Sequence, residues 1–250
     1  MTSTGSPTTE TFRRQNRRLT PAQRLRRMHD RLVEAYGPQH WWPAETPFEV
    51  ILGAYLTQNT AWKSVERSLD NLRGAGALTI DGLRSLALKD LERLIQPSGF
   101  RTRKALALKA FVAFLNEEFG GSLKALAATP TDTLRSRLLA LPGVGPETAD
   151  AILLYALNRP VPVADEYLCR ITERHHLLPP APGRNRRGYK SLAALTREAF
   201  ASDAPESHAR LFNEFHALAV AVGKVHCGRT AHCEGCPLRT DPHTKGGSSR

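Results

Sequence analysis

LPGVGPETADAILLYALNRPVPVADEY, residues 141–167, decides how the rest of the chain is read. The run before it, LRSRLLA, and the run inside it, ADAILLYAL, both repeat apolar residues at helical spacing, so PGVG joins two helices. Gly143 and Gly145 can take φ > 0 and let another backbone come close. Pro146 suits the first helical position, where its missing N–H costs nothing. The open N–H groups and positive dipole end of that helix favour an anion. A nucleic-acid phosphate would fit there without any base preference. An ordinary αα-hairpin with a glycine turn has the same ingredients. The stretch closes on Asp165, where ADEYLCRI suits a helix N-cap.

The 250 residues are enough for one large domain or two lobes. Lys and Arg number 35 against 24 Asp and Glu, a net charge of +11, which favours a polyanionic partner. No apolar run approaches the ~18 residues of a membrane span, so no membrane partner is expected. The opening MTSTGSPTTETFRRQNRR is Ser/Thr-rich, then Arg-rich, and residues 1–20 read as a disordered basic arm. An organelle transit peptide has a similar composition. Cys227, Cys233 and Cys236 cluster near the end, and Cys169 lies in a helical segment. That is no secreted disulfide framework, and a reducing compartment suits it better.

Helical periodicity covers most of the chain and no convincing strand appears. Leu25, Met28, Leu32 and Ala35 form one stripe, and Val50, Ile51, Ala54 and Tyr55 another; Val65, Leu69 and Leu72 follow the TQNT break. Further helices are expected near 81–87, 88–95, 103–119, 122–128, 131–140, 146–157, 165–177, 189–201 and 205–223. Gly and Pro punctuate them. PPAPGRNRRGYK is the longest internal loop, and the tail over 239–250 looks frayed. The expected class is all-α.

LPGVGPETADAILLYAL resembles the helix-hairpin-helix of the endonuclease III superfamily of DNA glycosylases. VPVAD follows in that family's order. LTQNTAWKSV at 56–65, SGFRTRKALALKAF at 98–111 and FHALAVAVGKVHC at 215–227 are similar to its other signatures. The likeness runs over roughly residues 25–238. It implies two helical lobes with a cleft between them, one over 46–157 with the hairpin, the other combining 21–45 with 158–238.

The resemblance implies that Asp165 is the catalytic carboxylate. Such a group can stabilise oxocarbenium character on the sugar or orient a water. Bifunctional members carry a lysine where this chain has Glu147, and that amine forms a Schiff base with the sugar. A carboxylate cannot, so base removal without strand cleavage is expected. Glu147 also suits a helix first turn. Gln58 matches the position that fills the gap left by an extruded base, and Trp62, four residues on, would share its face on a common helix. Trp41, Trp42 and Trp62 are the only tryptophans. As a base pocket they would suit an electron-poor alkylated base through stacking and cation–π attraction; as core they would be ordinary. WWP with the hairpin glutamate resembles the 3-methyladenine glycosylase branch. Gly143, Gly145, Arg101, Arg103 and Lys104 are expected at phosphates, or the basic groups form a solvated helix face.

CGRTAHCEGC has Cys-x5-Cys-x2-Cys spacing, whereas the family's [4Fe-4S] loop is Cys-x6-Cys-x2-Cys-x5-Cys. Pro242 stands where the fourth cysteine is due, with His243 next to it. Three readings stay open for Cys227, Cys233 and Cys236. A 4Fe-4S cluster could take a non-standard fourth ligand from His243, His232 or Cys169. Zinc could take three cysteines and a histidine. The loop could also hold no metal.

The expected activity is hydrolysis of the N-glycosidic bond of a damaged base, alkylated by preference, in double-stranded DNA, by a monomer. A cytoplasmic, nucleoid-associated setting follows if the source is bacterial. The rivals are a bifunctional glycosylase/lyase acting on oxidised pyrimidines and a non-catalytic helix-hairpin-helix DNA-binding module.

Overall fold

Thr20 starts the first helix with a reciprocal cap. Its Oγ1 accepts from Gln23 N at 3.2 Å, and its own N–H donates to Gln23 Oε1 at 2.9 Å. The computed structural model describes residues 19–39, 41, 44–179 and 186–243. The expected basic arm up to residue 18, Trp42, residues 180–185 of the Pro/Gly/Arg loop and the tail from 244 lie outside the described residues. Within them every regular element is helical, apart from an isolated bridge between Cys227 and Ala231. None of these helices is long and apolar enough to cross a membrane.

The chain divides into two units, Trp42–Val161 and Met1–Trp41 with Pro162–Arg250. After the first helix, α1 (Pro21–Tyr36), the middle unit contains α2 (Pro47–Leu56), α3 (Trp62–Gly74), α4 (Ile80–Ser85), α5 (Leu88–Leu94), α6 (Arg101–Phe119), α7 (Leu123–Ala128), α8 (Thr131–Ala140) and α9 (Pro146–Ala151). The π-helical turn Ile152–Ala156 continues α9. The other unit holds α1 (Pro21–Tyr36), α10 (Glu166–Arg174), α11 (Arg186–Ala199) and α12 (His208–Val225).

α2 is the centre of the middle unit. Every residue from Phe48 to Leu56 is buried, as expected of a helix apolar on all sides. Tyr55 and Phe111 of α6 meet with ring centroids 5.9 Å apart. In the other unit α1 packs on α11 and α12, and α10 packs on α12. His29 of α1 sits between Phe200 and Phe215, at 5.1 and 6.1 Å. Leu25, Met28 and Leu32 are buried, but Ala35 of the expected stripe is exposed. The α-helical turn puts Tyr36, four residues beyond Leu32, on that face instead.

The hairpin of α8 and α9 is held by a buried ion pair. Arg135 donates Nε to Asp150 Oδ1 at 2.6 Å and Nη2 to Oδ2 at 2.9 Å, and Asp150 is 1% exposed. The bidentate geometry fixes the guanidinium plane against the second helix. Asn158, at φ 51°, ends the run, and Arg159 N donates back to Leu153 O at 2.8 Å.

Residues 239–243, expected to fray, are tied into the fold. Asp241 is 3% exposed and takes a hydrogen bond from Arg24 Nε at 3.2 Å and another shared with His175 Nδ1 at 3.0 Å. Burial opposes its charge, but the hydrogen bonds from His175 and Arg24 outweigh it and hold the carboxyl below its usual range. Polar, glycine-rich composition gives no sign of these partners, which lie far away in the sequence.

Arg135→Ala strands a carboxylate in the hairpin and is expected to destabilise the protein by about 3–5 kcal/mol. Urea denaturation measures this. Replacing Arg135 and Asp150 together by leucine is expected to recover most of the loss. A single-variant cost below about 1 kcal/mol would show that the pair does not hold the hairpin.

Candidate active site

Asp165 stands at the end of an extended segment in which Val161, Val163 and Ala164 are buried. It is the N-cap of α10, with Oδ1 accepting from Leu168 N at 2.8 Å. Its other oxygen, Oδ2, lies 3.6 Å from Nε2 of His216 on α12. The carboxylate is 9% exposed and the histidine 7%. One oxygen is thus committed to the backbone while the second faces an imidazole. Sequence reasoning passed over His216, which sits in the apolar run FHALAVAVG; the only available signal was a histidine where the stripe calls for an apolar residue.

Gly223, seven residues beyond His216 on α12, explains the close approach of α10. A Cβ there would meet Tyr167 Cδ1 at 2.3 Å and Cβ at 2.7 Å. Tyr167 is held from outside by the Arg170 guanidinium, 4.8 Å from its ring centroid.

In the middle unit, the structure brings Gln58 to the hairpin. Gln58 Nε2 donates to Gly143 O at 2.9 Å and Thr148 Oγ1 at 3.0 Å. Gly143 has φ 75° and is exposed, and a Cβ there would meet Ala107 Cβ at 3.0 Å. Gly145 does not use positive φ: it is extended, at φ −97°, with nothing within 4 Å of a built Cβ. Its contribution is open space at the start of α9, where no side chain caps the helix. Glu147 is exposed in that first turn.

The HhH-GPD family model, described as the HhH-GPD superfamily base excision DNA repair protein, matches residues 52–193. A Methanocaldococcus jannaschii protein named as a DNA repair glycosylase is 39% identical over 210 residues, covering 83% of this chain and 90% of that one. The crystal structure of an H. pylori 3-methyladenine DNA glycosylase bound to 1,N6-ethenoadenine superposes with a TM-score of 0.68 at 27% identity, over 83% of this chain and 98% of that chain. A non-covalent endonuclease III–DNA complex shares the fold, with a TM-score of 0.68 at 22% identity, over 88% and 94% of the two chains.

The chain belongs to the HhH-GPD superfamily. It is a DNA repair glycosylase, an enzyme that breaks the bond between a base and its sugar. The all-α architecture follows the same superfamily.

Two expectations for this HhH-GPD glycosylase are corrected by geometry. Lys104 is not available to a phosphate: it is 5% exposed, and Nζ donates at 2.7 Å to each of Leu56 O, Thr60 Oγ1 and Ser98 O. Burial, with Arg103 adding to it, pushes its ammonium down to about 8. Arg101 and Arg103, its helical neighbours, are exposed. Trp62 does not share a helix with Gln58. Gln58 lies in the turn that follows α2, and Trp62 opens α3, its Nε1 donating to Glu66 Oε1 at 2.9 Å. Trp41 is half-buried in the unit that holds Asp165, with Lys224 Nζ 5.6 Å from its ring centroid, and Trp42 lies outside the described residues.

Cys227, Cys233 and Cys236 line one pocket, together with Arg174, Leu238 and His243 among others. Arg174 Nη1 donates to Cys227 Sγ at 3.0 Å. Cys169 is not part of the pocket lining; it pairs with Glu173 Oε1 at 3.5 Å, and burial pushes its thiol up to about 11. His232 is also absent from the lining; its N–H donates to His226 O at 2.8 Å and its carbonyl accepts from His226 Nδ1 at 2.9 Å.

Lys104→Ala removes the donor shared by Leu56 O, Thr60 Oγ1 and Ser98 O, of which Ser98 O keeps the Thr60 hydroxyl, and is expected to cost about 2–4 kcal/mol in urea denaturation. The salt slope of DNA binding is expected to stay unchanged, whereas loss of a phosphate contact lowers it by about one.

Proposed function

We propose that this glycosylase removes an alkylated base by hydrolysis and leaves the strand intact. The observation that carries the reading is Glu147, exposed in the first turn of α9, at the position where bifunctional relatives resembling this chain have a lysine. A carboxylate cannot form the Schiff base through which those enzymes go on to cut the strand. Asp165 then serves one displacement. The C1′–N bond breaks with its electron pair going to the base, positive charge grows on the sugar, and a water adds at C1′ and releases a proton. A carboxylate tied at Oδ1, with Oδ2 facing His216, favours that charge and can orient the water. The base itself must leave the helical stack to be reached. Gln58, held on the hairpin, and the exposed Gly143 turn fit the gap left in the duplex and the adjoining phosphate. Trp41 and Trp62, together with the similarity to a 3-methyladenine glycosylase, support an electron-poor alkylated base.

Duplexes carrying alkylated, oxidised, deaminated or mismatched bases, each read with and without alkali, test the reading. Strand breaks on the alkylated duplex that appear only after alkali are the expected result. A borohydride-trapped covalent adduct would overturn the monofunctional assignment. Asp165→Asn is expected to lower base release about 100-fold or more. Its thermal melting should barely move, since asparagine caps a helix as well as aspartate does.

A further inference from the structure

We infer that His243 takes the place of the missing fourth cysteine, so that Cys227, Cys233, Cys236 and His243 Nε2 together hold an iron–sulfur cluster. The first support is the state of the imidazole. His243 Nδ1 lies 2.8 Å from the carbonyl oxygen of Asp241. A carbonyl only accepts, so Nδ1 is the donor there and Nε2 is the ring nitrogen left for another partner. That Nε2 is buried and has no hydrogen-bond partner among the described residues. A buried polar atom left this way is costly, so the position asks for a partner. Protein-bound metal centres use this arrangement: the ligating histidine donates its other ring N–H to a carbonyl, which sets the tautomer and the ring angle.

The second support is position. His243 lines the same pocket as the three thiols, and neither His232 nor Cys169 does. His226 lines it too, but its Nε2 is not left buried and unpaired. The ring of His243 is fixed from behind. His175 lies 5.2 Å from it, centroid to centroid, and is anchored with Arg24 on Asp241. A ligand so close to the end of the chain therefore rests on a buried ionic network.

The third support is spacing along the chain. Cys227, Cys233 and Cys236 keep the order of the superfamily's cluster loop, and His243 stands one residue past the place of its fourth cysteine. A cluster takes each ligand at a different iron. Arg174 Nη1 donates to Cys227 Sγ at 3.0 Å, which fixes the direction of that sulfur at the pocket. The cluster, when bound, would tie α10, the end of α12 and the C-terminal loop together; no step of base removal passes through it.

The test is anaerobic reconstitution of the full chain with ferrous iron and sulfide, followed by metal and sulfide analysis. About four irons and about four acid-labile sulfides per chain, with broad thiolate-to-iron absorbance, are expected. After reduction and labelling of histidine with nitrogen-15, pulsed electron paramagnetic resonance should show one directly coupled nitrogen. His243→Ala should lose that coupling and most of the iron. His243→Cys should keep the iron, lose the coupling and shift the reduction potential downward, because thiolate replaces imidazole. Failure to retain iron and sulfide, stoichiometric zinc in their place, or nitrogen coupling that persists in His243→Cys would each overturn the assignment. Base-release assays on the same preparations read the glycosylase activity separately, so failure of one proposal is not failure of the other.

Discussion

The ammonium of Lys104 is the point on which the middle unit turns. It joins the last carbonyl of α2, the hydroxyl of Thr60 and the carbonyl of Ser98 at one centre. Thr60 Oγ1 in turn donates to Ser98 O at 2.7 Å, and Ser98 Oγ meets Ser68 Oγ at 2.7 Å. The turn between α2 and α3 has few apolar side chains of its own, and Asn59 in it is left-handed at φ 52°. A loop of that kind keeps its shape only where its polar groups are satisfied. Lys104 and the serines meet that need, and Gln58 is presented to the hairpin as a consequence.

In the other unit the same logic works through a carboxylate. Asp165 caps α10 with one oxygen and faces His216 with the other. The cap sets the backbone, so the side chain has little freedom, and the missing Cβ at Gly223 lets Tyr167 and α10 lie close to α12. In the proposed reaction, stability and reactivity would both draw on this one residue. An enzyme gains from this: a charge that must act on a transient cation is held in place before the substrate arrives.

Much of this was legible from residue order. Helices recur where apolar residues repeat at three and four, and twelve of them appear close to the expected bounds. The hairpin, Asp165 and Glu147 stand together in one stretch, so local chemistry reveals them. Lys104 was misread because a lysine beside two exposed arginines looks solvated; its three acceptors come from positions 56, 60 and 98, which no local pattern connects. His216 was missed because an apolar helix hides a single polar residue. The burial of Asp241 was missed because its partners, Arg24 and His175, lie 217 and 66 residues away.

By itself the sequence determined the all-helical class, the Gly/Pro hairpin, the carboxylate at 165 and the absence of a lysine at 147, because each depends on neighbours within one or two helical turns. Tertiary structure alone decided which charges are structural and which are exposed, which glycine needs its freedom, and which histidine stands among the three cysteines. Those outcomes depend on burial and on acceptors brought from distant segments, and the free energy of a charge or a lone pair is set by what surrounds it in space.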